Sequence, residues 1–328
     1  MNKIVFSIII PAFNVAEYIE KAINSILNQS FSSYEIIIYN DASTDGTLNK
    51  LQRYNHLENV TIINNYENLG LAHARNASLA KAKGEYVMFL DGDDYLSDAS
   101  LEYLSANIGS NDVLIYDHLC IWENGGVRPS SAKSLLRNNQ MSFQTVQDRL
   151  VLFDVLNVAW NKVYRRSFLK HNNLFFEGGY YEDIPFHYKV ILCATKLSVV
   201  PEVCYYYRQR EGSILNSTSN KHSSIITQYK RIFDYVNINK VQICVMDKIM
   251  ERMISHIFIL FLKNNKRLKR ESVVDIYKGF IKLSHCYGVK TKRKTAMLIR
   301  IYSIHILFLY LLIRKYAPFK IYSPEDQS

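Results

Sequence analysis

The chain has 328 residues, 48% hydrophobic and 21% charged, with a net charge of +10. That is more chain than one core needs, so one large globular domain with an appendage is expected. The five cysteines (Cys120, Cys193, Cys204, Cys244 and Cys286) are odd in number and widely spaced with no Cys-x-x-Cys pair, which argues against a zinc or dithiol centre and for buried free thiols in a reducing cytoplasm.

In chain order, Phe6-Ser7-Ile8-Ile9-Ile10 is an apolar run closed by Pro11 and is read as a first strand; it begins so early that no signal peptide is expected. Val15, Ile19, Ala22, Ile23 and Ile26 then fall on one face of a 3.6-residue period, which predicts a helix. Tyr34–Tyr39 is a second strand, ending in the acid-rich turn Asn40-Asp41-Ala42-Ser43-Thr44-Asp45-Gly46-Thr47; Ser43 or Thr44 is expected to cap a helix from near Thr47. Val60–Ile63 is a third strand. Asn68-Leu69-Gly70 leads into a helix carrying Arg75 and Asn76, and Gly84 breaks that helix before a fourth strand, Tyr86–Leu90. Strand and helix alternate, which implies βαβ units and a parallel sheet covered on both faces. Right-handed crossovers then bring Asp41 and Asp91 to one edge of that sheet.

The fourth strand opens onto Asp91-Gly92-Asp93-Asp94. Carboxylates this close repel one another and are expected to stay out of the core, and their placement at a strand's carboxyl end is where open α/β sheets bind ligands. Hard oxygen donors suit Mg²⁺ or Mn²⁺, which complete their shells with water and substrate phosphates. The same tetrad also reads as a plain Asp/Gly turn.

Taken in order and at these separations, Pro11-Ala12-Phe13-Asn14, Asn40–Thr47, Asn68-Leu69-Gly70, Ala74-Arg75-Asn76, Asp91-Gly92-Asp93-Asp94, Trp160-Asn161-Lys162-Val163-Tyr164, Glu182-Asp183 and Tyr207-Arg208 resemble a family 2 glycosyltransferase with the GT-A fold, over residues 4 to about 215. The resemblance implies a GT-A catalytic domain over residues 1–220, with a Rossmann-like, mainly parallel sheet flanked by helices, and a C-terminal helical extension over 221–328. It implies inverting transfer of a sugar from a UDP-sugar, with Mn²⁺ or Mg²⁺ as cofactor. The donor pocket is then assigned Pro11, Phe13 (stacked on the base, or packed in the core), Asp41 (accepting from the imide N–H that uracil has and cytosine lacks) and Arg75 (approaching base and phosphates, or lying on a helix surface). Asp91 is assigned to the ribose and, with Asp93, to the metal, and Asp94 to supporting hydrogen bonds.

By the same resemblance Asp183 is the base that takes the acceptor's proton, with Glu182 in reserve; otherwise the pair caps the helix that begins around Pro185. Trp160, Asn161 and Lys162 are expected to line the sugar or acceptor pocket, although Trp160 also reads as a core tryptophan. Arg208 or Arg210 is expected at the pyrophosphate. Many family members carry a histidine in that last stretch, where this chain has Gln209-Arg210-Glu211.

Residues 221–328 hold 21 Lys and Arg against 7 Asp and Glu, a net +14. Their basic tracts, Lys263–Arg270 and Lys290–Lys294, accompany apolar segments at Ile254–Leu262 and Ile301–Ile313. The second segment is shorter than the roughly 20 residues needed to span a bilayer, so it is read as interfacial, drawing the enzyme to the anionic inner face of the cell membrane. The alternative is a helical subdomain or homodimer contact. No nucleic-acid motif accompanies the basic tracts. A lipid-linked or surface-glycan acceptor follows from that location. Two other functions are weighed: a nucleotidyltransferase, disfavoured because Pro11–Asn14 is no Gly-rich phosphate signature, and a non-catalytic nucleotide-sugar-binding module, disfavoured because Asp41, Asp91, Asp93 and Asp183 are all present.

Overall fold

The computed structural model describes residues 3–130, 143–210, 220–263, 268 and 270–288. The chain divides into two compact units, Met1–Ser213 and Ile214–Ser328.

The first unit runs β1 (Phe6–Ala12), α1 (Ile19–Leu27), β2 (Tyr34–Asp41), α2 (Thr47–Gln52), β3 (Val60–Asn65), α3 (Leu71–Lys81), β4 (Tyr86–Phe89), β5 (Tyr95–Leu96), α4 (Ser100–Ile108), β6 (Val113–Trp122), β7 (Val127–Pro129), α5 (Val146–Arg149), β8 (Lys162–Arg165), α6 (Arg166–His171), α7 (Asp183–Cys193) and β9 (Leu197–Gln209). The strands form one sheet in the order β3-β2-β1-β4-β8-β6-β9-β5, with β7 beside β6. The first four strands are parallel as expected, in the register Ile8↔Ile36 and Ile8↔Met88. Beyond β4 the sheet is mixed: β8 runs antiparallel to β4 and β6, while β6 and β9 are parallel.

All seven residues of β1 and all eight of β2 are buried, as strands covered on both faces require. Each isoleucine of Ile8-Ile9-Ile10 contributes about 1.5–3 kcal/mol relative to exposure. The predicted stripe of α1 is the buried one, Ile19, Ala22, Ile23 and Ile26. Gly84 does more than end a helix, because a Cβ there would lie 2.6 Å from the Ser7 nitrogen; only glycine lets the chain approach β1 this closely before entering β4.

The chain passes from β1 out to β2 and β3, then returns to β4 on the other side of β1. The carboxyl ends of β1 and β4 therefore border a topological switch point, where such sheets hold ligands. The turns after β1, β2 and β4 all open there, as the crossover argument required.

In the second unit, α8 (Ser224–Ile238), α9 (Ile243–Lys263) and α10 (Arg270–Gly288) pack through Ile225, Ile232 and Phe233, through Ile249, Met253 and Ile257, and through Val273, Ile276 and Phe280. The segment Ile254–Leu262 belongs to α9, where Ile254, Ile257, Leu260 and Phe261 are buried, so these positions are spent on packing. No helix among the described residues is long and apolar enough to cross a membrane. The Lys290–Lys294 tract, the Ile301–Ile313 segment and most of the Lys263–Arg270 tract lie outside the described residues. All five cysteines are free, but only Cys204 is buried and Cys286 is exposed, which corrects the expectation of five buried thiols.

Candidate active site

The site begins with two knitted turns. Asn14 and Ala42, at the ends of β1 and β2, both hold left-handed backbone (φ 51° and 58°), a conformation that costs non-glycine residues about 1–3 kcal/mol and concentrates at functional sites. The Asn14 N–H donates to Ser43 Oγ and the Thr44 N–H donates to Asn14 Oδ1, at 3.1 and 2.8 Å. The expected cap of α2 by Ser43 or Thr44 is not formed. Instead Asp45 Oδ1 accepts from the Thr47 N–H at 2.9 Å, while its Oδ2 accepts from Ala16 at 3.0 Å, so Ser43 and Thr44 are left to join the two turns.

These turns leave Phe13 46% exposed, which rules out its core-packing alternative. Pro11 is buried within β1, and its carbonyl oxygen lies against Gly92 of the acid turn, where a Cβ would come within 3.1 Å of it. Asp41 is buried, and its oxygens accept from the Leu69 and Gly70 N–H groups at 2.9 and 2.7 Å. Gly70, with φ 87°, is what lets the chain turn both amides onto one carboxylate. Each Asp41 oxygen keeps a second lone pair.

Arg75 is the centre of the site. It projects from α3 and is 0% exposed, so it is neither a surface arginine nor open to a nucleotide, the two roles weighed from the sequence. Its Nη2 donates to Asp91 Oδ1 at 2.9 Å, and its Nη1 donates to Glu182 Oε1 at 2.9 Å and to Asp183 Oδ1. Phe176 and Phe89 wall it in, with ring centroids 5.2 and 5.9 Å from the guanidinium carbon. Burial alone would lower its pKa, but Asp183, Asp91 and Glu182 hold it above the ordinary arginine value. Glu182 and Asp183 reach it from the start of α7, where Tyr181, with φ 64°, swings the chain so that both carboxyls face the sheet edge. Asp183 Oδ2 also accepts from the Ala159 N–H at 3.3 Å. Glu182 is buried, and burial followed by repulsion from Asp183 pushes its carboxyl up to about 8.

The Asp91–Asp94 turn holds its three acids on three different kinds of partner. Asp91 has Arg75; burial, with repulsion from Asp93 and Asp183, still drives its carboxyl up to about 6 against the pull of that arginine. Asp94 is 1% exposed, contrary to the expectation that these acids stay out of the core. It is sustained by the Tyr205 O–H at 2.6 Å and the Arg208 N–H at 2.7 Å, and burial followed by repulsion from Asp93 and Asp91 raises its pKa well above the usual carboxylate range. Asp93 Oδ2 accepts from Arg210 Nε at 2.8 Å. Arg208 Nε donates to the Asp93 carbonyl at 2.9 Å. The Arg208 and Arg210 guanidinium carbons lie 4.9 and 5.0 Å from the centre of the Tyr18 ring. Both arginines expected at a pyrophosphate thus lie against the acid turn.

Among the described residues no group of three or more His, Cys, Asp or Glu side chains could hold a metal ion. Asp91 Oδ2 and Asp93 Oδ1 nevertheless have no hydrogen-bond partner among the described residues. Two hard oxygens from one turn fit Mg²⁺ or Mn²⁺, which proteins bind through one or two carboxylates and substrate phosphates complete.

The expected pocket wall of Trp160, Asn161 and Lys162 is corrected. Trp160 is 2% exposed, stacked on Tyr205 with centroids 4.3 Å apart and met edge-on by His118. Asn161 and Lys162 are buried, and Lys162 Nζ donates inward to the Val158 carbonyl at 2.7 Å. Burial lowers that amine to about 7. The segment is a foundation under the site, because β8 sits inside the sheet between β4 and β6. Sequence reading missed Tyr205 and Tyr18. The strand period was the available signal for Tyr205: in Tyr205-Tyr206-Tyr207 the outer two share a face, and both rings meet Trp160.

Three known proteins frame this geometry. The Borreliella burgdorferi cholesterol galactosyltransferase is 30% identical over 236 residues, 68% of this chain and 65% of that protein. The Staphylococcus aureus poly(ribitol-phosphate) beta-N-acetylglucosaminyltransferase TarS is 31% identical over 220 residues, 65% of this chain and 37% of that protein. These matches thus span at most about two thirds of the relatives' own length. The crystal structure of TarS residues 1–349 with UDP-GlcNAc superposes with a TM-score of 0.71 at 22% identity, covering 97% of this chain and 94% of that one. The Pyrobaculum calidifontis mannosyltransferase PcManGT, solved with GDP-Man and Mn²⁺, gives 0.55 at 15% identity, covering 97% and 89%. The likeness to TarS bears out the expected GT-A α/β architecture with its helical C-terminal region. Residues 7–172, just over half the chain, match the profile described as glycosyl transferase family 2, and the protein belongs to that family.

Proposed function

We propose that the protein transfers a sugar from a UDP-sugar to a hydroxyl of a glycan or lipid-linked glycan, by a single inverting displacement that uses Mg²⁺ or Mn²⁺, in bacterial surface-polysaccharide assembly. The observation that carries this reading is the Arg75 hub. One buried guanidinium ties Asp91, on the donor side, to Asp183 and Glu182, at the sheet edge where the turns after β1, β2 and β4 meet.

In this reading Phe13 stacks on the base, and Asp41 uses its remaining lone pairs to accept from the uracil imide. Asp91 holds the ribose, and Asp91 and Asp93 hold the cation. When bound, the cation supplies electrostatic stabilisation of the charge that grows on the departing diphosphate. Arg208 and Arg210 offer guanidinium donors to the diphosphate oxygens. Asp183, with 15% of its side chain exposed, takes the proton of the acceptor hydroxyl. Glu182, pushed up to about 8, keeps its proton near neutrality and leaves that role to Asp183. The net +14 of residues 221–328 supports docking on the anionic inner face of the cell membrane, near a lipid-linked acceptor.

The test is release of UDP from a panel of UDP-sugars, with Mn²⁺ and with chelator, in the wild type and in Asp93→Ala. The variant should lose transfer and metal-dependent UDP binding while its thermal midpoint holds. Full activity in chelator would remove the metal from the mechanism, and no release of UDP from any sugar of the panel would remove the UDP-sugar transferase reading.

A further inference from the structure

Each acid of the Asp91–Asp94 turn is held differently. Asp91 is held by a buried arginine, and Asp94 by a buried tyrosine hydroxyl and a backbone N–H. Asp93 is held by Arg210, the one of these pairings with a partly open side chain on both sides: 18% of the Arg210 side chain and 24% of the Asp93 side chain are exposed. Arg210 Nε lies 2.8 Å from Asp93 Oδ2, and its guanidinium rests 5.0 Å from the Tyr18 ring centre.

We infer that Arg210 is a resident cation on the metal carboxylate, and that a divalent ion binds Asp93 only when Arg210 leaves it. This rests on the metal reading above. Mg²⁺ binds carboxylate oxygens at about 2.0–2.1 Å. With the guanidinium still in place, two positive centres would stand within about 5 Å of each other, a repulsion worth about tenfold or more in affinity at the dielectric of a partly exposed site. The ion alone offers the displaced arginine nothing. A nucleoside diphosphate offers it phosphate oxygens, and also completes the ion's shell. Ion and nucleotide therefore favour each other's binding through Arg210, and by linkage the favour is equal in both directions. The site is arranged to take the metal together with the diphosphate and to resist the bare ion.

The test is titration with Mn²⁺ followed by electron paramagnetic resonance of the free ion, with and without UDP, in the wild type, Arg210→Gln and Arg210→Lys. The wild type should bind bare Mn²⁺ weakly and bind it much more tightly with UDP. Arg210→Gln should bind bare Mn²⁺ about tenfold more tightly than the wild type, and the tightening by UDP should shrink by about the same factor. Arg210→Lys keeps the charge and should stay close to the wild type without UDP. If Arg210→Gln leaves bare Mn²⁺ affinity unchanged while UDP still recruits the ion, the resident-cation role is refuted and the metal reading stands. The role is also refuted if Arg210→Lys binds bare Mn²⁺ as tightly as Arg210→Gln. If no protein binds Mn²⁺ even with UDP, the metal reading fails and takes this inference with it.

Discussion

Arg75→Met is the sharpest test of the site's architecture. Methionine keeps much of the arginine stem's volume and removes the guanidinium from among Asp91, Glu182 and Asp183. Breaking a buried ion pair costs about 3–5 kcal/mol because it strands the other charge. Here two features relieve the loss: Asp91 keeps a quarter of its side chain in water, and Glu182 is pushed up to about 8 and is largely neutral already. We therefore expect the lower part of the range, about 3–4 kcal/mol near pH 7.5. For a unit of this size that is a fall in Tm of about 6–16 °C. The sign with pH follows from linkage. Asp91 and Glu182, already raised in the folded state, hold their protons more tightly still without the guanidinium, so the variant regains stability as pH falls. Urea unfolding followed by circular dichroism, at about pH 7.5 and about pH 5, measures both effects. A deficit below about 1 kcal/mol at the higher pH, or one that does not shrink at the lower, would mean that Arg75 does not neutralise these acids.

Glu182 gives a second pH signature. Its folded pKa of about 8 lies above its ordinary 4.5, so the stability it contributes is complete below the lower value and lost as pH rises through the higher one. The Tm gap between the wild type and Glu182→Gln should therefore move against the wild type from about pH 5 to about pH 9, and a gap constant across that range would contradict the assignment. Asp183→Asn should slow transfer by about 10²–10⁴-fold while calorimetric UDP affinity is kept; lost UDP affinity with turnover retained would make Asp183 a helix cap. Tyr205→Phe removes the hydroxyl that donates to Asp94 at 2.6 Å and accepts from the Asp91 N–H at 3.2 Å. It should cost about 1–3 kcal/mol in urea unfolding, and a neutral substitution would show that this hydroxyl does not organise the turn.

The parallel half of the sheet was legible because its signals are local: Phe6–Ile10, Tyr34–Tyr39 and Tyr86–Leu90 are short, largely apolar runs, interrupted only by Ser7 and Glu35, which bond each other. The placing of Asp41 and Asp91 on one edge followed from crossover handedness alone. What could not be read was which face of each element is closed by parts distant in sequence. Trp160 and Lys162 carry groups that suit a pocket, but Lys162 lies in β8 between β4 and β6 and Trp160 packs on Tyr205 and His118. Arg75 read as a helix residue near a nucleotide because its partners Glu182 and Asp183 lie 107 and 108 residues away. The burial of Asp94 depends in the same way on Tyr205, 111 residues on. Adjacent acids were expected to avoid the core through repulsion, and they would do so if each had not been given a separate donor.

That allotment of donors also links the two halves of the reaction centre. In the proposed reading Asp91 sits on the donor side and Asp183 on the acceptor side, and both hold Arg75, one through Nη2 and the other through Nη1. A rigid planar guanidinium cannot shift toward one carboxylate without loosening the other. A ligand that draws Asp91 toward a ribose or a cation therefore tilts the guanidinium's hold on Asp183 as well. In that reading, weakening the hold frees an oxygen of Asp183 to take the acceptor's proton. In that reading the arginine that holds the three acid side chains together is also the physical connection by which donor binding readies the base.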